Sequence, residues 1–167
     1  MTNLPASEIA FDKSMPMFTG SLDQVMNLNG VANLQALGSV VLTAAMLGRN
    51  LLHLHQPNLD DNEDDINGGF WNRHRQIEQI LLRTALGLPD HLRLPSGLID
   101  PNVVFANMCL HTSVVCLHQA AIFKADKRRL LASVSNESKL RCVTAAAEIA
   151  SIMRMVSHMD LSTVGLL

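Results

Sequence analysis

Between Asp100 and Ala125 the chain has almost no polar face on which a helix could meet water. Asp100 followed by Pro101 is a strong helix start. The carboxylate can accept a bond from an orphan amide, and proline at the first helical position gives up no needed donor. From there Val104, Met108, Val115 and Ile122 make one stripe, and Val103, Leu110, Val114 and Leu117 a second. Phe105, Cys109, Cys116 and Phe123 make a third. A helix apolar nearly all round belongs at the centre of a bundle. The polar run Lys124 to Arg129 closes it, placing cations at the negative pole of the helix.

The rest of the chain supplies helices to surround it. From about Gly30 to Gln56 the spacing predicts a helix with Leu34, Leu37, Val41, Ala44/Ala45, Gly48 and Leu52 on its inner stripe, stopped by Pro57. A second is predicted from Phe70 to Leu86. Phe70, His74, Ile77, Leu81 and Ala85 face in, and Asn72, Arg75, Gln76, Gln79 and Arg83 face water. Gly87, Leu88 and Pro89 end it. A last helix is expected from about Asn136 to Met159. Cys142, Ala145/Ala146, Ile149, Ile152 and Val156 face in, and Arg141, Thr144, Glu148, Ser151 and Met155 lie opposite. The connection Pro89 to Asp100 should be ordered by contacts with the body. Residues 1–20 read as a loose lead-in and 58–69 as an acidic loop, since DDNEDD repels itself and stays hydrated. No strand pairs and no internal repeat are evident, so the fold class is all-α, a bundle of four or more helices.

Composition narrows the function. Lys and Arg total 13, Asp and Glu 15, and the net charge of −2 argues against strong non-specific nucleic-acid binding. Charged residues are only 17% and the mean hydropathy is +0.18, which points to surface intended for a partner. Three cysteines, Cys109, Cys116 and Cys142, make no disulfide framework and fit a reducing compartment. The start MTNLPASEIAFDK lacks a basic segment followed by an apolar core, so no signal peptide is expected. Gln24 to Gly48 and Pro101 to Phe123 carry no formal charge and are long enough to span a bilayer. Each holds seven polar or imidazole side chains, so a buried helix is the expectation and no membrane partner is assigned.

Chemistry-bearing patterns are weak. The repeated C-x-H of Cys109/His111 and Cys116/His118 puts residues two apart on nearly opposite helix sides. Like residues lie two turns apart, about 10 Å, too far to share one zinc ion. His53 and His55 are weaker still. No G-x-S-x-G, H-E-x-x-H or G-x-G-x-x-G occurs, so no catalytic, cofactor or metal residue is assigned and the chain is read as no enzyme. Trp71, Arg73, His74 and Arg75 read as a helix surface rather than a groove reader, and Lys124, Lys127, Arg128 and Arg129 as a helix end with a weak nuclear-import character.

As a string, the chain says more. The pieces are Phe70-Trp71 with Arg73-His74-Arg75, Leu88-Pro89-Asp90-His91-Leu92-Arg93-Leu94-Pro95, Asp100-Pro101-Asn102, Leu110-His111, Cys116-Leu117-His118-Gln119-Ala120, and Ala145-Ala146 through Ile149. With Leu47 to Pro57 upstream, they resemble, in order, the fungal-specific transcription factor domain. This is the middle homology region of fungal zinc-cluster regulators, also called the xylanolytic activator regulatory domain. The resemblance implies a helical regulatory body in the nucleus, with residues 21–167 as part of that domain. It implies protein partners, namely the rest of a regulator or a dimer partner, and a small-molecule inducer. Zinc and DNA contact are implied only for a separate cysteine-rich module, which three dispersed cysteines cannot form. The chain is accordingly expected to be an internal piece of a regulator. Two other readings stand beside it: an interfering fragment that pairs with an intact regulator, and a small-molecule-binding helical protein with His74, His111 and His118 lining a pocket. The candidate interface is the apolar end Leu161 to Leu167 with Met153, Met155 and Met159, methionines being adaptable in shape.

Overall fold

The computed structural model describes residues 3–27, 31–55, 62 and 64–164, with side chains through 159. Two short helices come first, α1 (Glu8–Asp12) and α2 (Leu22–Met26). Four long ones follow: α3 (Ala36–His55), α4 (Gly69–Gly87), α5 (Pro101–Lys127) and α6 (Ala132–Val164). Among the described residues there is no strand, only an isolated bridge between Asn3 and Ser21. The molecule is an all-α bundle.

Helix α5 is its spine, packing against α6 and α3 most extensively and against α4 as well. Its start is the one its sequence dictates: Asp100 caps it by accepting from the Asn102 amide at 2.8 Å, with Pro101 at the first position. Leu117 and Ala121 are fully buried on it. Both α3 and α5 are long and apolar enough to cross a bilayer by length and composition. Here they pack on one another through a partly polar face.

That face corrects the inner stripe expected for α3. Leu37, Val41 and Leu52 are exposed, whereas Gly38, Ser39, Leu42, Thr43, Met46 and Asn50 are buried. The helix is turned by about one residue, roughly 100°, from the most hydrophobic orientation. The buried hydroxyls cost little because each is bonded to its own helix. Ser39 Oγ donates to the Ala36 carbonyl at 2.6 Å, and Thr43 Oγ1 to that of Ser39 at 2.9 Å. Asn50 Nδ2 donates across to the Ser113 carbonyl of α5 at 2.8 Å. Small residues allow close approach, and the Asn50 bond to Ser113 ties the register of the two helices, while Asn50 Oδ1 is buried without a hydrogen bond.

The segment expected as a loose lead-in is tied down instead. Leu4 is buried in the main core, and its amide donates to the Gly20 carbonyl at 2.8 Å. Ser21 and Gln24 form a reciprocal capping box on α2. The 89–100 connection is docked by contacts, as its composition suggests. Leu88 and Leu92 are buried, His91 Nε2 lies 3.0 Å from the Leu34 carbonyl, and Asn107 Nδ2 donates to the Leu92 carbonyl at 3.0 Å. Gly97 is required there, because a Cβ would stand 2.7 Å from the His91 carbonyl oxygen and collide with Val103.

Helix α6 begins four residues earlier than its periodicity implied. Ser135, Ser138, Ala145 and Ile152 are buried on its inner side. Between α5 and α6 the chain turns through Arg129, whose φ is 53°. Leu130 N–H bonds the Ala125 carbonyl and Arg129 N–H that of Asp126, a Schellman closure. Of the acidic run, Asn62, Asp64 and Asp65 are described. Asp64 Oδ1 lies 3.7 Å from Arg128 Nε, an exposed pair of little energetic weight. The rest of that run, Pro57, residues 165–167 and the side chains of 160–164 lie outside the described residues.

Candidate functional site

The second, smaller core forms where α4 begins. Phe70, Trp71, Ala121 and Ala125 are buried together, with Leu130 and Val134 against them. On α4, the stripe Phe70, His74, Ile77 and Leu81 turns inward as its spacing predicts. Phe70 stacks on His53 of α3 at 4.7 Å, and its other edge meets Trp71 at 5.2 Å. Lys124 Nζ sits 4.5 Å over the Phe70 ring, a cation–π contact.

Next along that stripe is a cluster of imidazoles and one carboxylate. The His74 and His118 rings meet edge to face, 5.2 Å apart. Glu78, one turn on from His74 on the same side of α4, brings Oε1 to 3.6 Å from His118 Nε2. Helix α6 supplies two partners. Ser138 Oγ lies 3.3 Å from His118 Nδ1, and Arg141 Nε lies 3.3 Å from Glu78 Oε1. His74 Nδ1 and His118 Nε2 are buried with no hydrogen bond.

Burial sets the electrostatics. Desolvation, with the charges of His118, His53 and Arg75 behind it, drives His74 from 6.5 to about 3. Desolvation, then Arg141, lowers His118 to about 4. Both rings are therefore neutral at physiological pH. Burial raises the Glu78 carboxyl against the opposing pull of Arg141.

Beside the cluster, α4, α5 and α6 line a half-open cavity of about 300 Å³. Leu81, Leu82, Leu110, Val114, Leu140 and Ala145 form apolar walls. Glu78, His111, His118, Arg141 and Glu148 supply its polar groups. Burial lowers the His111 pKa, and Glu148 opposes this. The arrangement is a mostly apolar recess with a few convergent polar groups, the usual form of a small-molecule site.

The residues singled out by sequence fall into separate places. Phe70, Trp71, His74 and His118 come together, while His111 lies along the cavity wall. Leu88, Pro89, His91, Leu92, Arg93, Leu94 and Pro95 build the docked connection, and Asp100, Pro101 and Asn102 the start of α5. Arg75 is exposed and donates to the Ile66 carbonyl at 2.9 Å and to Asn72 Oδ1. Arg73 and Cys116 are half-buried and Gln119 is exposed. Glu78, Ser138 and the inward reach of Arg141 escaped the sequence reading. His74 and Glu78 at i and i+4 were the available signal, but their juxtaposition with His118 depends on how α4 meets α5.

No protein-family model and no solved structure matches the chain. Curated relatives do. The chain is 24% identical over 162 residues to the pigment biosynthesis transcriptional activator pigB of Monascus ruber, covering 95% of this chain and 29% of that protein. It is 29% identical over 121 residues to the transcription factor tazR of Aspergillus terreus, covering 70% of this chain and 19% of the relative. It is 20% identical over 162 residues to the citrinin biosynthesis transcriptional activator ctnR of Monascus purpureus, covering 95% and 27%. The chain is thus similar to fungal transcriptional regulators, and it spans less than a third of the length of these three relatives.

Proposed function

We propose that this chain is a regulatory body of a fungal transcription regulator, non-enzymatic and nuclear, of the middle-homology type. The observation that carries the reading is likeness to fungal transcriptional activators extending over 95% of the chain. The ordered motif string from Phe70 to Ile149 supports it, as does a bundle built around one apolar spine.

In this reading the segment acts through protein and inducer contacts rather than by touching DNA. Its cations support that. Arg75 is bonded to its own loop, Lys124 and Lys127 lie over aromatic rings, and Arg141 faces Glu78. Such dispersed, engaged charges make a poor phosphate-binding face. The apolar cavity between α4, α5 and α6 favours a small, largely apolar inducer as the finer form of the proposal.

A fusion tests it. The chain is joined to an unrelated DNA-binding module and reporter output is measured with and without candidate inducers. The expected result is output that differs from the module alone and responds to a compound. A fusion inert under every condition would overturn the reading.

A further inference from the structure

We propose that His74, Glu78 and His118 form a binding site for a divalent transition-metal ion of the zinc class. One donor atom from each lies within 4.8 Å of the others, and His118 Nε2 is 3.6 Å from Glu78 Oε1. Tetrahedral zinc, with bonds of about 2.0–2.2 Å to nitrogen and oxygen, sets its donors about 3.3 Å apart, so small side-chain adjustments close the set. Two imidazoles and a carboxylate suit zinc, cobalt and nickel rather than calcium or magnesium.

Three further observations point to a ligand at this place. His118 is 2% exposed and His74 5%, yet His118 Nε2 and His74 Nδ1 have no hydrogen bond. A buried nitrogen left without a partner is costly, and a metal ion would give His118 Nε2 the partner it lacks and engage the His74 ring as well. His118 also has the orienting contact usual for a ligand. His118 Nδ1 is 3.3 Å from Ser138 Oγ, and in the tautomer that donates there its Nε2 lone pair faces the Glu78 carboxylate, ready to share a cation with it. Glu78 and His118 also help to line the cavity, from which a water or a small ligand can complete a four-coordinate set.

Arg141 works against the ion. Its guanidinium faces Glu78 at 3.3 Å, but its side chain is 46% exposed and free to swing into solvent. The site and its competitor therefore give opposite signs in mutants, which a merely structural trio would not.

The inference is independent of the regulatory reading. The test uses the 167-residue chain with any affinity tag removed, titrated with Co²⁺ by visible absorption and with Zn²⁺ by calorimetry. One equivalent is expected to bind, with the intense visible bands of tetrahedral cobalt. Glu78→Gln and His118→Asn should each weaken binding at least about tenfold, since loss of even an outer partner costs about 10–100-fold. Arg141→Gln should tighten it, and His158→Ala, on exposed surface, should leave it unchanged. Circular dichroism checks that each variant is folded. If His118→Asn unfolds, the half-exposed Glu78 and Arg141 variants decide the matter. Failure to bind one equivalent overturns the site, as do Glu78→Gln and Arg141→Gln variants that leave affinity unmoved or shift it the same way.

Discussion

His74 and His118 share a space in which neither the His74 Nδ1 nor the His118 Nε2 atom has a hydrogen bond, and both rings are held far below their ordinary pKa of 6.5. The linkage follows directly. Unfolded, each ring takes a proton below about pH 6.5, while folded it does so only near 3 or 4. The unfolded state therefore binds more protons across that window, and stability falls as pH drops through it. Glu78, raised by burial, has the opposite sign near its own lower range, but one carboxyl does not offset two rings. The expected loss between pH 7.5 and pH 5, measured by urea denaturation, is on the order of 2–4 kcal/mol at about 1–2 kcal/mol per ring. His118→Gln should remove about half the slope. Stability that is flat over this range would contradict the burial of these imidazoles as neutral groups.

At the scale of elements, α3 separates what hydropathy marks from what packing selects. Leu37 is 49% exposed and Leu42 1%. Leu42→Ala should cost about 2–5 kcal/mol. Val41→Lys, which the sequence alone would place in the core, should change stability by less than about 0.5 kcal/mol. Thermal melts of the two variants side by side check the orientation, and equal losses would restore the hydrophobic stripe. The long helices, the Asp100–Pro101 start and the α4 stripe were legible because each rests on local chemistry: a cap, a proline, one strongly amphipathic period. The α3 face was not, because Ser39 and Thr43 hide their hydroxyls in bonds to their own helix, and the Asn50 bond to Ser113 exists only once α3 meets α5. For the same reason the His74, Glu78 and His118 cluster was invisible, since it joins two helices whose mutual register no spacing along one chain encodes. The α5–α6 turn is a further local case. Arg129 occupies a left-handed conformation that costs a side-chain-bearing residue about 1–2 kcal/mol. Arg129→Gly should raise stability by about 0.5–1 kcal/mol, the remainder lost to backbone entropy. An unchanged or lower denaturation midpoint would show that the arginine side chain compensates the strain.

The whole molecule is organised by α5, and most of the described side-chain bonds that cross between helices converge on it. Asn50 reaches it from α3 at Ser113, and Asn107 reaches back to the docked connection at Leu92. His118 links it to Glu78 of α4 and Ser138 of α6, and Cys142 Sγ of α6 lies 3.7 Å from the Val115 carbonyl. With one shared spine, α3, α4 and α6 cannot lose their partner singly, so unfolding should be a single cooperative event. The sequence provides a local probe, because Trp71 is its one tryptophan and sits in the small core at the start of α4. Helix content followed by circular dichroism reports all four long helices, whereas Trp71 fluorescence reports that small core alone. The two denaturation curves are expected to coincide. Leu117→Ala, which opens a hole at the fully buried centre of α5, should move both midpoints together by about 2–5 kcal/mol. Fluorescence that kept its original midpoint while helicity was lost early would mean that the Trp71 core folds as a unit of its own.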